Sequence, residues 1–229
     1  MKSIGIVGCS AEGAALCYTT ICSESIAKLG HYQHPDIAMH TPSLSLYVDA
    51  LNQGSKKQIV DLMLTSVEKL KAAGADFVIC PDNTIHQAFD LVEQSSSLPW
   101  LHIADVVSQY AKHQSYRKVG VLGTQWLTES DVYPNSMRSV DIDVVLPNAL
   151  QRKEIGRLIM DELVLGHTPS HVTEYLLKVI EEFKSQGCEA VVLGCTELPI
   201  VLGDENSPLP TLDSTRLLAR AAIEYACID

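Results

Sequence analysis

Two residues able to carry protons occupy matching places in the chain. Asp82 lies in the stretch Gly74-Ala75-Asp76-Phe77-Val78-Ile79-Cys80-Pro81-Asp82-Asn83-Thr84. Cys195 lies in Gly187-Cys188-Glu189-Ala190-Val191-Val192-Leu193-Gly194-Cys195-Thr196-Glu197. Aligned without a gap, glycine meets glycine, acid meets acid, apolar run meets apolar run, and Asp82 falls opposite Cys195. Each stretch predicts a short buried strand ending in a polar turn that opens a helix. Such turns are where open parallel sheets bind ligands. A carboxylic acid and a thiol at equivalent places predict one site between two halves, with a proton carrier on either side. Both residues also have ordinary structural uses. Asp before Asn-Thr is a common N-cap, and most cysteines are buried and inert.

The chemistry makes opposite demands on the two groups. A thiol is a base only as thiolate, and its ordinary pKa is about 8.5, so helix-start amides are expected to stabilise Cys195 in that form. Asp82 must hold a proton, which burial and a nearby carboxylate favour. Asn83, Thr84, Thr124 and Thr196 can supply amide and hydroxyl donors to a carboxylate at helix starts, or simply cap those helices. Cys80 shares a strand face with Asp82 and is placed under the edge of the sheet. His86, one turn into its helix, is either a partner of the site or a solvated residue.

The surrounding chain alternates strand and helix, the pattern of a parallel sheet with helical crossovers. Strands are predicted at 4–8, 37–40, 77–79, 100–103, 119–123, 144–146, 191–193 and 209–213. Helices are predicted over 14–29, 53–73, 85–94, 150–165, 171–186 and 214–226. Three matches recur in the same order: Gly5 with Gly120, Gly74 with Gly187, and Pro99 with Pro210. They predict an α/β fold of two similar, pseudo-symmetric halves, each a short, mostly parallel sheet flanked by helices, with the active site in the cleft between them. The halves are residues 1–104 with the last helix, 210–229, packed back on them, and residues 105–209.

Composition narrows the function. The chain has 229 residues, 46% hydrophobic and 20% charged, which is a folded and not a disordered composition. A formal charge of −11 argues against a nucleic-acid partner. No leader and no apolar run long enough to span a bilayer stands out, so a cytoplasmic protein with reduced thiols is expected. The seven cysteines match no zinc spacing, and His31, His34 and His40 have no further ligand near them in sequence, so no metal is expected. Gly8 and Gly13 fit the outer glycines of a dinucleotide fingerprint, but Ser10 stands at the middle one. No phosphate loop and no placed Schiff-base lysine is evident, so no cofactor is expected.

The segments Gly74-Ala75-Asp76-Phe77, Pro81-Asp82-Asn83-Thr84-Ile85-His86, Leu101-His102-Ile103-Ala104-Asp105, Lys118-Val119-Gly120-Val121-Leu122-Gly123-Thr124 and Leu193-Gly194-Cys195-Thr196-Glu197-Leu198 resemble the aspartate/glutamate racemase family. The resemblance covers nearly the whole chain. It implies two similar α/β halves, a homodimer, and racemisation without pyridoxal phosphate or metal. A cysteine on one face of an amino acid removes the α-proton, and a group on the other face returns one. By resemblance Asn83, Thr84, Thr124 and Thr196 hold the substrate's α-carboxylate, with Gly8, Cys9, Ser10 and Ser43 lining the cleft. Two-cysteine members have cysteine where this chain has Asp82, while some relatives carry threonine there and still racemise. His167 stands where many relatives place a lysine near the side-chain carboxylate of the substrate. The expected reaction is racemisation of aspartate or glutamate, with Cys195 and Asp82 as the catalytic pair. A one-thiol decarboxylase or cis–trans isomerase of small dicarboxylic acids, and a binding protein without catalysis, remain alternatives.

Overall fold

The computed structural model describes residues 1–228. They form two compact units, Met1–Val106 with the stretch from Thr215 onward, and Val107–Ser214. The first unit contains β1 (Ile4–Val7), α1 (Ala11–Glu24), α2 (Ile26–Leu29), β2 (Ile37–His40), α3 (Leu44–Asn52), α4 (Lys56–Ala72), β3 (Phe77–Ile79), a 3-10 segment (Asn83–Ala88), α5 (Phe89–Ser95) and β4 (Trp100–Leu101). The boundary between the units falls within α6 (Ile103–His113). The second unit continues with β5 (Lys118–Gly123), α7 (Gln125–Thr128), α8 (Val132–Arg138), β6 (Asp143–Val145), α9 (Ala149–Asp161), α10 (Ser170–Ser185), β7 (Ala190–Gly194) and β8 (Thr211–Asp213). Short 3-10 segments at Leu163–Leu165 and Leu198–Ile200 belong to it too, and α11 (Ser214–Ala226) returns the chain to the first unit.

Each unit holds one four-stranded parallel sheet, ordered β2-β1-β3-β4 in the first and β6-β5-β7-β8 in the second. In the first sheet Ile4, Ile6, Phe77 and Ile79 face Cys17 and Ile21 of α1 and Leu218 and Ala222 of α11. Val7 and Val78 face the other way, toward Tyr47 of α3 and Ile59, Met63, Val67 and Leu70 of α4. Successive side chains of a strand point to opposite faces, so a sheet covered on both sides needs the uninterrupted apolar strands seen here. In the second unit Leu122, Val191 and Leu193 pack with Ile155 and Ile159 of α9 and Val172, Leu176 and Phe183 of α10.

The repeated residues do the same work in both units. Asp76 accepts the N–H of Ser3 at 2.7 Å, and Glu189 accepts that of Arg117 at 2.5 Å, so each acid anchors the start of its unit's first strand. Pro99 accepts the N–H of Val78 and Pro210 that of Val191, both at 2.9 Å. Ser96 and Ser207 bond to the backbone two residues on, at Leu98 and Leu209. Gly74 and Gly187 stop α4 and α10 at φ of +93° and +84°, a conformation that favours glycine. One turn earlier on each helix, Leu70 and Phe183 press on the first-strand glycines: a Cβ on Gly5 would lie 3.3 Å from Leu70, and one on Gly120 only 2.2 Å from the Phe183 ring.

Some boundaries differ from the sequence reading. The helix predicted over 53–73 runs Lys56–Ala72 and is preceded by α3, which was not anticipated. Leu44–Asn52 buries only Tyr47 and Ala50, too short an apolar stripe to stand out. The fourth strand stops at Leu101, because Ile103, Val107 and Ala111 are the buried face of α6. The helix predicted over 14–29 starts at Ala11, capped by Ser10, and breaks at Ser25. The one predicted over 85–94 begins as a 3-10 segment, and that over 150–165 ends as one. Among the described residues no helix is long and apolar enough to cross a membrane.

Candidate active site

In both sheets the chain reverses its direction of winding between the two central strands. The carboxyl ends of β1 and β3, and of β5 and β7, are therefore the switch points where such sheets bind ligands. The expected proton carriers stand at these two points, Asp82 just past β3 and Cys195 just past β7.

Around Asp82 the hydrogen bonds show where the side chain is directed. Asp82 precedes the 3-10 segment but makes no capping bond to it. Its carboxylate instead crosses to the loop after β1, accepting the N–H of Cys9 at 2.9 Å and of Ser10 at 3.3 Å. Ser10 is itself the N-cap of the 14-residue helix α1, with its hydroxyl accepting the N–H of Gly13 at 3.2 Å. Consecutive amides at a helix start form an anion cradle, and here an internal carboxylate fills the place a phosphate takes in a dinucleotide turn. Gly8 lets the loop sit this close, since a Cβ there would come within 2.3 Å of Thr41. Backbone donors favour a charged carboxylate. Where Asp82 was expected to be held protonated, its carboxylate is seated on the amides of Cys9 and Ser10.

The other predicted residues of this unit spread outward. Asn83 is buried, its amide donating to the Pro81 carbonyl at 3.5 Å, while Thr84 is half-buried. Cys9 and Cys80 are buried under the turn. Ser43 is exposed at the start of α3, its hydroxyl 2.9 Å from that of Ser45. His86 is buried, not solvated. Its Nε2 donates to the Cys80 carbonyl at 3.1 Å, the assignment a carbonyl partner requires. Burial, then the nearby His102, holds its pKa well below the ordinary histidine value. It stacks on Phe89 with ring centroids 5.4 Å apart and acts as a neutral brace for the Cys80-Pro81-Asp82 turn.

The second switch point has its own construction. Strand register pairs Gly123 with Gly194, so Thr124 and Cys195 leave the sheet side by side. A side chain at either glycine would strike Leu127 or the neighbouring backbone. Thr124 caps α7, its hydroxyl accepting the N–H of Leu127 at 3.2 Å. The Cys195 thiol donates to Glu197 Oε2 at 2.8 Å, and the Thr196 hydroxyl donates to the same oxygen at 2.9 Å. Glu197 is 2% exposed, and its Oε1 is buried without a hydrogen-bond partner among the described residues. Where helix-start amides were expected to stabilise a thiolate, a three-residue 3-10 segment follows and the thiol donates a hydrogen bond to a carboxylate. Glu197 was part of the quoted motif but had no role in the sequence reading. Its signal is a carboxylate two residues past the thiol in a tight turn. His167 lies in an exposed loop, with Nδ1 3.6 Å from Glu162.

The arrangement sets a carboxylate on two backbone amides at one switch point and a thiol on a carboxylate at the other.

Comparison with known proteins bears on what these carriers serve. The sequence model of the family described as Asp/Glu/Hydantoin racemase matches residues 4–222. The broad-specificity amino-acid racemase RacX of Bacillus subtilis (strain 168) is 25% identical over 207 residues, 88% of this chain and 86% of that protein. Among solved structures, a Yersinia pestis protein described as a candidate Asp/Glu racemase superposes with a TM-score of 0.90 at 29% identity, covering all of both chains. An aspartate racemase homologue from Pyrococcus horikoshii OT3 gives 0.83, also at 29% identity and full coverage of both.

Proposed function

The chain belongs to the Asp/Glu/hydantoin racemase family, and on that premise we propose that it is a cofactor-independent amino-acid racemase using Asp82 and Cys195 on opposite faces of the substrate's α-carbon. The observation that carries the reading is the Asp82 carboxylate, turned away from its own helix onto the amides of Cys9 and Ser10, at the place equivalent to Cys195. The resting states supply one direction of reaction directly. Asp82, as carboxylate, takes the α-proton of the enantiomer that presents it. The Cys195 thiol gives its proton to the opposite face, and Glu197 accepts from the thiol in the ground state. In the other direction Cys195 passes its proton to Glu197 and acts as thiolate, and protonated Asp82 is the acid. The carbanion beside the substrate carboxylate needs donors aimed at its oxygens. In this reading Asn83, Thr84, Thr124 and Thr196 supply them, and Cys9, Ser10, Ser43 and His167 line the site.

Aspartate and glutamate are the proposed substrates, and RacX's broad specificity extends the range to be tested. The protein is proposed to be a cytoplasmic homodimer. A monomer mass at micromolar concentration counts against the dimer. The test of function is a panel of L- and D-amino acids incubated in deuterated water. Racemisation with α-deuterium supports the reading, and no exchange into any amino acid rejects it.

One observation favours a second reading. An Asp82 that keeps its charge throughout on the amides of Cys9 and Ser10 cannot serve as an acid and leaves Cys195 as the one proton donor. That suits a one-thiol decarboxylation of malonate-type acids or a cis–trans isomerisation. Carbon dioxide release from a substituted malonate, without α-exchange into amino acids, would select it.

A further inference from the structure

Beneath the Asp82 turn lie two thiols that proton transfer does not use, gathered against the Asp82 carboxylate. Cys9 Sγ, Cys80 Sγ and an Asp82 carboxylate oxygen all lie within 4.8 Å of one another. Both cysteines are buried free thiols, brought together by adjacent parallel strands. Tyr47 closes the group from α3. Its side chain is fully buried and its hydroxyl makes no hydrogen bond of good geometry among the described residues, yet it lies against Cys9 and within electrostatic range of Cys80 and Asp82.

Two thiols and a carboxylate are a donor set that soft divalent cations prefer. Zinc bonds of about 2.3 Å to sulfur and about 2.0–2.2 Å to oxygen put tetrahedral donors roughly 3.5–4 Å apart, which the cluster spans with small side-chain adjustments. Three protein ligands leave a fourth position open, as in sites that also bind water. We infer that Cys9, Cys80 and Asp82 form an inhibitory site for a thiophilic divalent cation such as zinc, with the Tyr47 hydroxyl bonding to a water in the fourth position. On binding, the two thiols release their protons to solvent and two thiolate–metal bonds form, with no change of oxidation state. The cation then occupies Asp82. The inhibition rests on the proposed role of Asp82 as proton carrier, while the site itself rests only on the four side chains.

The test uses the full chain, reduced with a phosphine and freed of metal, titrated with Co²⁺. The expected result is a thiolate-to-cobalt charge-transfer band that saturates at one equivalent per chain and is bleached by added Zn²⁺. The band should fall at least tenfold in Cys80→Ala and in Cys9→Ala, and persist in Cys195→Ser. Because Cys195→Ser removes the proposed catalytic thiol, the spectrum separates failure of the cation site from failure of the racemase reading. X-ray absorption of the wild-type zinc adduct, which needs no variant to fold, should show two sulfur ligands. The absence of a band, an undiminished band in both alanine variants, or fewer than two sulfurs on zinc would each overturn the inference.

Discussion

At Cys195 the thiol donates to a carboxylate, and that bears on what the residue needs. A thiol hydrogen-bonded to Glu197 at 2.8 Å can pass its proton to that oxygen. Replacing Glu197 by Gln preserves the shape and leaves no anionic acceptor. General acid–base contributions are typically about 10²–10⁴-fold, so Glu197→Gln should lower kcat by that order with KM little changed. Steady-state kinetics in both directions measure this, and a variant within about twofold of wild type would leave Glu197 a merely structural neighbour. At His40 the neighbours work the other way. Burial, then the Lys69 ammonium, lowers its pKa, and Lys69 Nζ donates to Nε2 at 2.9 Å. Lys69→Met removes a like charge that disfavours the imidazolium, so the NMR titration midpoint of His40 should move up. An unchanged or lower midpoint would contradict the geometry.

At the scale of elements, the two sheets explain why so much was legible. The pairs Gly74/Gly187, Asp76/Glu189 and Pro99/Pro210 matched in the sequence because each pair makes the same turn or the same backbone bond. Fully buried strands and long amphipathic helices such as α4 and α10 were visible from their apolar residues. What was hidden depended on partners remote in sequence. Asp82 bonds amides 72 and 73 residues away, so nothing in its own stretch could tell a cap from a cross-strand contact. Glu197, which the Cys195 thiol bonds, was adjacent but carried no pattern. Boundaries failed where helices were short, as in α3, or where a helix began as a tight 3-10 turn. The close contact of Phe183 on Gly120 offers a test of the packing. A methyl group at 2.2 Å from the ring must displace α10, and overpacking of this kind costs about 1–3 kcal/mol. Gly120→Ala should lose that much stability in chemical denaturation, and Phe183→Leu in the same chain should restore part of it. No loss would mean that helix and sheet are not in this register.

For the whole molecule, the proposed reaction draws its acid and base from the chain's own side chains. Activity should survive dialysis against chelator and treatment with a carbonyl reagent, and be lost on thiol alkylation. Loss with chelator alone would show that a metal does the chemistry. The central claim is that Asp82 and Cys195 serve opposite faces of one carbon. It is tested most directly by α-deuterium exchange of each pure enantiomer in deuterated water, comparing Asp82→Asn with Cys195→Ser. The wild type should exchange both enantiomers and interconvert them. Each variant should lose racemisation. Asp82→Asn should retain exchange of the enantiomer whose α-hydrogen faces Cys195, because the thiol and Glu197 remain. Cys195→Ser should retain exchange of the other enantiomer, because Asp82 stays on the amides of Cys9 and Ser10. If Asp82→Asn racemises at close to the wild-type rate, or if both variants exchange the same enantiomer, the two-faced assignment is wrong.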